Sequence, residues 1–233
     1  MDLMEIELMF IEFYKAAQMF TESGIACLRF DYRGQGISEG EFVDTSMATK
    51  TEDILNIIEY LKGCYYCEGC NIILLGFSDG AKTIAKVISK SDDVQGIILW
   101  NPIFNTIKDG FEQKKIKRLV RLPSSQKTGL PFLGLLMGVE HLYDVKTSNC
   151  LNEFKTFAQY KTIITGDEDQ YTDYIRDIRW RQNIPNCSYE VIHGGNHTFS
   201  SSSISKDLID VSINHIYKCV AASNKNDSHD CLE

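Results

Sequence analysis

Between residues 72 and 90 the chain runs Ile72-Ile73-Leu74-Leu75, then Gly76-Phe77-Ser78-Asp79-Gly80, then a helix-forming stretch from Ala81 to Lys90. An apolar run, a serine set between glycines and a helical pattern in that order describe a strand that reverses sharply into a helix. The glycines are expected because Cβ atoms two positions either side of the serine would press on the strand and the helix. So tight a turn lifts Ser78 Oγ above the carboxyl edge of a sheet, over a helix N-terminus with free backbone N–H groups. These residue types point to a serine nucleophile.

Further apolar runs with the same β-rich character occur at Ala26 to Phe30, Gly96 to Trp100, Thr162 to Thr165 and Tyr189 to Ile192. Helical patterns lie between them, which predicts a mostly parallel, doubly wound α/β sheet covered on both faces. One helix presents Ile54, Leu55, Ile57, Ile58 and Leu61 on a single face, with Thr51 or Asp53 placed to cap its start. The helix after Ser78 would pack through Ala81, Ile84, Ala85 and Ile88. Others are expected over about Tyr171 to Asn183 and Lys206 to Val220. Near the start, Phe13, Ala16, Ala17 and Phe20 form a helical stripe, with Met1 to Phe10 read as its extension or as a distorted strand.

Residues from about Ile103 to Gln159 break the strand–helix rhythm and read as a small helical cap above the sheet edge. The organisation is therefore a core in two parts, 1–102 and 160–222, an inserted cap or lid over 103–159, and a disordered tail over 223–233. The 233 residues suffice for one such domain. A net charge of −8 argues against a nucleic-acid partner, and the basic stretch Lys114, Lys115, Lys117, Arg118, Arg121 reads as a solvated helix face. The acidic N-terminus carries no secretory pattern and no run is long enough to span a bilayer, so a cytoplasmic location is the default.

Eight cysteines in that compartment are expected to be reduced. Cys64, Cys67 and Cys70 form C-x-x-C-x-x-C in a loop between helix and strand. A structural zinc or iron–sulfur site is one reading, but no fourth ligand is nearby and three thiols are the plainer one.

A serine becomes a nucleophile only beside a base that an acid orients. Thr165-Gly166-Asp167-Glu168-Asp169 follows one strand, and His193-Gly194-Gly195-Asn196-His197-Thr198-Phe199 follows the next. Both turns fall at carboxyl ends of strands, where doubly wound folds place their sites. Ser78, an acid, then a histidine is one of the chain orders in which such relays occur.

Three segments together resemble a known group. Gly24 to Ser38, with Asp31-Tyr32-Arg33-Gly34-Gln35-Gly36-Ile37-Ser38, resembles a strand followed by D-x-R-G-x-G-x-S. The turn at Ser78 and Gly195-Asn196-His197-Thr198-Phe199 match the group's serine and histidine turns. The chain resembles the α/β-hydrolases of the serine aminopeptidase-like, monoacylglycerol lipase-like and feruloyl/cinnamoyl esterase-like group, over roughly Phe13 to Val220. The resemblance implies an α/β-hydrolase fold and a serine hydrolase cleaving carboxylic esters of small molecules through an acyl-enzyme, without cofactor or metal. It implies Ser78 as nucleophile, His197 as general base, and Asp169 as acid from the G-x-x-D turn, with Asp167 as the alternative. The Asp79 backbone N–H would donate to the oxyanion. His193 is then structural, as Arg33 and Gln35 are expected to be.

The likeness has a gap. The group opens with further strands and a His-Gly turn that completes the oxyanion hole, whereas Gly24 is the first glycine here and no histidine precedes His141. A chain lacking its N-terminal strands, or a variant that re-pairs the remaining ones, would account for this. A weakly active or non-catalytic binding protein of the same fold is the alternative function.

Overall fold

The computed structural model describes residues 3–104, 119–121, 127–132, 135–147, 149–171 and 183–230. Four parallel strands make the central sheet: β1 (Ile72–Phe77), β2 (Val94–Trp100), β6 (Tyr160–Gly166) and β7 (Cys187–Ile192), in the order β1-β2-β6-β7. Their carboxyl ends stay in register, with Phe77 beside Trp100, Trp100 beside Ile164, and Gly166 beside Ile192. Turns leaving these strands therefore gather at one rim.

Strand side chains alternate between faces, and β2 shows why the sheet needs a layer on each. Ile97 and Leu99 join a core with Ile54 and Ile58 of α2 (Met47–Lys62) and Ala81, Ile84 and Val87 of α3 (Gly80–Ile88). Ile98 and Trp100 face the opposite core, with Ala16 and Phe20 of α1 (Leu3–Glu22) and Leu208, Ile209 and Ile216 of the last helix (Ser202–Asp230). Trp100 is fully buried, its ring stacked 5.5 Å from Phe13 and its Nε1 donating to Ser212 Oγ at 3.0 Å. Ser205 Oγ also donates to Glu12, which pairs with Lys15 at 3.0 Å, and so ties α1 to the last helix.

Between β2 and β6 lies a second, antiparallel sheet of β3 (Val120–Arg121), β4 (Thr128–Phe132) and β5 (Leu135–Gly138). Two short helices follow, α4 (Val139–Thr147) and α5 (Leu151–Thr156), and the last helix is then α6. The inserted segment thus carries strands as well as the helices a small helical cap implies. The apolar run at Leu130–Met137 supplies two of them, paired across Gly129 and Gly138.

Several elements differ from the sequence reading. α2 starts at Met47, because Ser46 and Thr49 cap each other reciprocally. Thr51 lies inside the helix, donating to the Met47 carbonyl, and Asp53 accepts from Arg33 N and Nε at 2.9 and 2.6 Å. Ala26 to Phe30 forms no strand, and Leu28 and Phe30 stay exposed. A strand needs a neighbouring edge, and none pairs with this segment among the described residues. α1 extends back to Leu3, the helical option for that stretch. α6 continues to Asp230 through the segment that composition assigns to a tail, since adding a turn to a formed helix costs little. The helix expected over about Tyr171 to Asn183, apart from its two ends, and most of the basic stretch lie outside the described residues.

Candidate active site

Ser78 leaves β1 with φ of 53°, a left-handed conformation uncommon for a residue with a Cβ. The turn is clamped on both sides: Ser78 N–H donates to the Trp100 carbonyl at 3.0 Å, and its own carbonyl accepts from Ile103 N and Ala81 N. The two glycines differ in purpose. A Cβ on Gly76 would come within 2.5 Å of Ile84 Cδ1 and 3.3 Å of Leu99 Cδ2, whereas one on Gly80 would meet nothing within 4 Å. The close strand–helix approach thus favours glycine at position 76, where a Cβ would push the Ile84 side chain aside, and leaves position 80 open among the described residues.

Ser78, His197 and Asp169 meet at the rim. His197 Nε2 lies 3.0 Å from Ser78 Oγ, and His197 Nδ1 lies 2.8 Å from Asp169 Oδ2. The imidazole is 6 % exposed and the Asp169 side chain fully enclosed. Phe77 and Tyr171 hold the imidazole from two directions, with ring centroids 4.9 and 4.7 Å away. Tyr171 N–H also donates to Asp169 Oδ1 at 2.7 Å, so each carboxylate oxygen has a partner.

Asp167 takes another position. Its carboxylate accepts from Gly194 N–H at 2.7 Å and lies 2.8 Å from His193 Nδ1, in an exposed pair. The His193 hydrogen bond, with that from Gly194, holds Asp167 below the usual carboxylate range. His193 lies in the turn after β7 and not on the strand. This second pair staples the acid-bearing turn to the histidine-bearing one. Gly166 serves the same junction, because a Cβ there would sit 2.0 Å from the Gly195 carbonyl oxygen.

Asn101 is the positioning residue that sequence reading missed. It is fully buried at the end of β2, with φ of 41°. Its Nδ2 donates to the carbonyls of Asn196 and His197 at 3.1 and 2.8 Å, and its Oδ1 accepts from Gly166 N–H at 2.9 Å. One amide therefore spans the turns that carry Asp169 and His197. An Asn-Pro pair ending an apolar strand was the available signal, and it reads equally well as an ordinary turn.

Around Asp79 the electrostatics are mixed. Burial raises its carboxyl, but Lys50, His141, Lys82 and its own amide outweigh burial and hold it below the usual range. Lys50 Nζ stands 3.8 Å from Asp79 Oδ2 and 5.6 Å from the centre of the Tyr32 ring. His141 of α4 is buried, and its Nδ1 has no hydrogen-bond partner among the described residues. Burial, with Lys50 adding to it, pushes His141 down to about 4. Arg33 is occupied structurally, bridging Asp53 and Glu52 on α2. No group of three or more His, Cys, Asp or Glu side chains among the described residues could hold a metal ion.

A parallel sheet layered by helices on both faces, with a serine on the strand-to-helix turn, is the architecture of an α/β-hydrolase. The family described as serine aminopeptidase, S33 matches residues 11–137, more than half of the chain, and the chain belongs to it. Among solved structures, Est1E from Butyrivibrio proteoclasticus with ferulic acid bound superposes with a TM-score of 0.72 at 17 % identity, covering 90 % of this chain and 83 % of that one. A monoacylglycerol lipase from Paleococcus ferrophilus gives a TM-score of 0.61 at 16 % identity, covering 86 % and 88 %. At such identities these similarities speak to the fold. Two Escherichia coli proteins, each described as an uncharacterized 31.7 kDa protein in the traX-finO intergenic region, are 34 % identical over 82 residues, 35 % of this chain. The chain matches 29 % of the length of these curated relatives. Among the described residues no helix is long and apolar enough to cross a membrane.

Proposed function

We propose that the protein hydrolyses carboxylic esters of small molecules through Ser78, His197 and Asp169. The carrying observation is the unbroken series of contacts, 3.0 Å from Ser78 Oγ to His197 Nε2 and 2.8 Å from His197 Nδ1 to Asp169 Oδ2. Asp169 fixes the ring with Nδ1–H facing the carboxylate, which leaves Nε2 to take the serine proton as Oγ attacks the acyl carbon. The imidazolium then protonates the leaving alkoxide, and a water deprotonated by the same Nε2 releases the acid from the acyl-enzyme. The Asp79 backbone N–H, first after the nucleophile, is assigned to the oxyanion. Membership of a hydrolase family and the esterase and lipase among the structural neighbours support ester chemistry.

Residues 103–159 are read as the cap over this edge. Its α4 brings His141 toward Asp79, and Asp144 Oδ2 accepts from Met47 N–H at 2.7 Å, pinning α4 to the start of α2. The test is hydrolysis of short-chain p-nitrophenyl esters by the full chain. Turnover is expected, with kcat lowered about 10³-fold or more in His197→Ala. Turnover unaffected by that substitution would refute the assignment.

A further inference from the structure

The cysteine trio, which the hydrolase reading does not use, is built into consecutive tight turns. Cys64 precedes the 3₁₀ turn Tyr65–Cys67, and Cys67 N–H donates to the Cys64 carbonyl at 2.9 Å. Cys64, extended at φ −87° and ψ 119°, precedes the turn as its cap, and Cys67 ends it. One such turn rises about 6 Å, inside the roughly 4.4–6.8 Å that a disulfide spans between Cα atoms. Tyr65 and Tyr66 fill the positions between and point into solvent, 83 % and 89 % exposed. Cys70 follows through a second turn, with Glu68 at φ −59°, ψ 125° and Gly69 at φ 72°, closed by Cys70 N–H to the Cys67 carbonyl at 3.0 Å. That turn is of type II.

The pairing within the trio is unequal. Of the two neighbouring thiols, Cys64 acts on Cys67 more strongly than Cys70 does. Burial first, then these neighbours, raise the Cys67 thiol. Cys64 and Cys67 are half-buried, within reach of a small reagent, while Cys150 and Cys219 are enclosed in the protein interior.

We propose that Cys64 and Cys67 form a thiol–disulfide exchange site that reacts with low-molecular-weight disulfides and closes to an intramolecular disulfide. The thiolate of either cysteine attacks one sulfur of the reagent, forming a mixed disulfide and expelling one thiolate. The second cysteine, deprotonated, attacks the protein-side sulfur, closes the Cys64–Cys67 bond and expels the other reagent half. Two protein thiols are oxidised, the reagent disulfide is reduced to two thiols, and the two protons pass to the leaving thiolates.

The full chain is incubated with oxidised glutathione, quenched in acid and alkylated, and its peptides are mapped by mass. The expected product lacks two hydrogens, resists alkylation at Cys64 and Cys67 and is alkylated at Cys70. Its formation accelerates as pH rises toward the thiol range. Cys70→Ser retains the bridge, while Cys64→Ser and Cys67→Ser each stop at a glutathione adduct. A Cys67–Cys70 bridge in the native chain, adducts without closure, or full alkylation of all three thiols would each overturn the proposal. Because the native chain carries the deciding result, it does not depend on how any variant folds.

Discussion

Asn101 carries more of the site than any residue the sequence advertises. Its single amide holds two backbone carbonyls of the histidine turn and one N–H of the acid turn. Asn101→Ala would strand those groups without partners and is expected to cost about 2–4 kcal/mol in denaturant unfolding. A change below about 0.5 kcal/mol, the range of a surface substitution, would show that the amide does not bridge the turns. The glycines of the serine turn give a second comparison. Gly76→Ala should destabilise by about 1–3 kcal/mol through contact with Ile84 and Leu99. Gly80→Ala should be neutral or stabilising by up to about 1 kcal/mol, because it adds a helix former in open space. Equal effects at the two positions, read from their melting curves, would contradict the asymmetry. At this scale the serine and histidine turns were legible because each combines glycines with a polar residue after a strand. The glycine requirement was legible only in part, since Gly80 shows no steric need. Asn101 was hidden because its partners are backbone atoms far along the chain, which leave no local pattern.

The strands of the central sheet were the most readable elements. β2, β6 and β7 appear where the β-rich runs place them, each lengthened by a few residues. The segment at Ala26 to Phe30 has the same composition but no pairing, which shows that composition alone does not make a strand. The start of α2 was displaced because Ser46 and Thr49 satisfy its first N–H groups earlier than the apolar stripe begins. α4 carries a pH prediction through His141. Burial depresses its pKa from 6.5 to about 4. Between these values the unfolded chain takes up a proton that the folded one refuses, so stability falls as pH drops from about 6.5 to about 4 and is insensitive to this group above that window. The contribution is of order 3 kcal/mol, and His141→Gln should remove it. Unfolding free energies of the two proteins compared at pH 7 and pH 4.5 (roughly the ends of the window) provide the check. A parallel fall in both would place the titration elsewhere.

Over the whole molecule, the candidate site depends on convergence. Four parallel strands in register bring three turns, distant in sequence, to one rim, and the two helical layers hold the sheet that sets their spacing. That topology was readable from alternating strand and helix patterns, and the chain order of serine, acid and histidine followed from it. The composition of the insertion was less readable, because its strands are short and, among the described residues, pair only with one another. The most direct measurement of the central claim is reaction with a fluorophosphonate, which phosphonylates only a serine activated by a neighbouring base. The account predicts one adduct, mapped by mass to Ser78, absent in Ser78→Ala and formed about 10³-fold more slowly in His197→Ala. An adduct that persists in Ser78→Ala, or forms at the same rate without the imidazole, would contradict it.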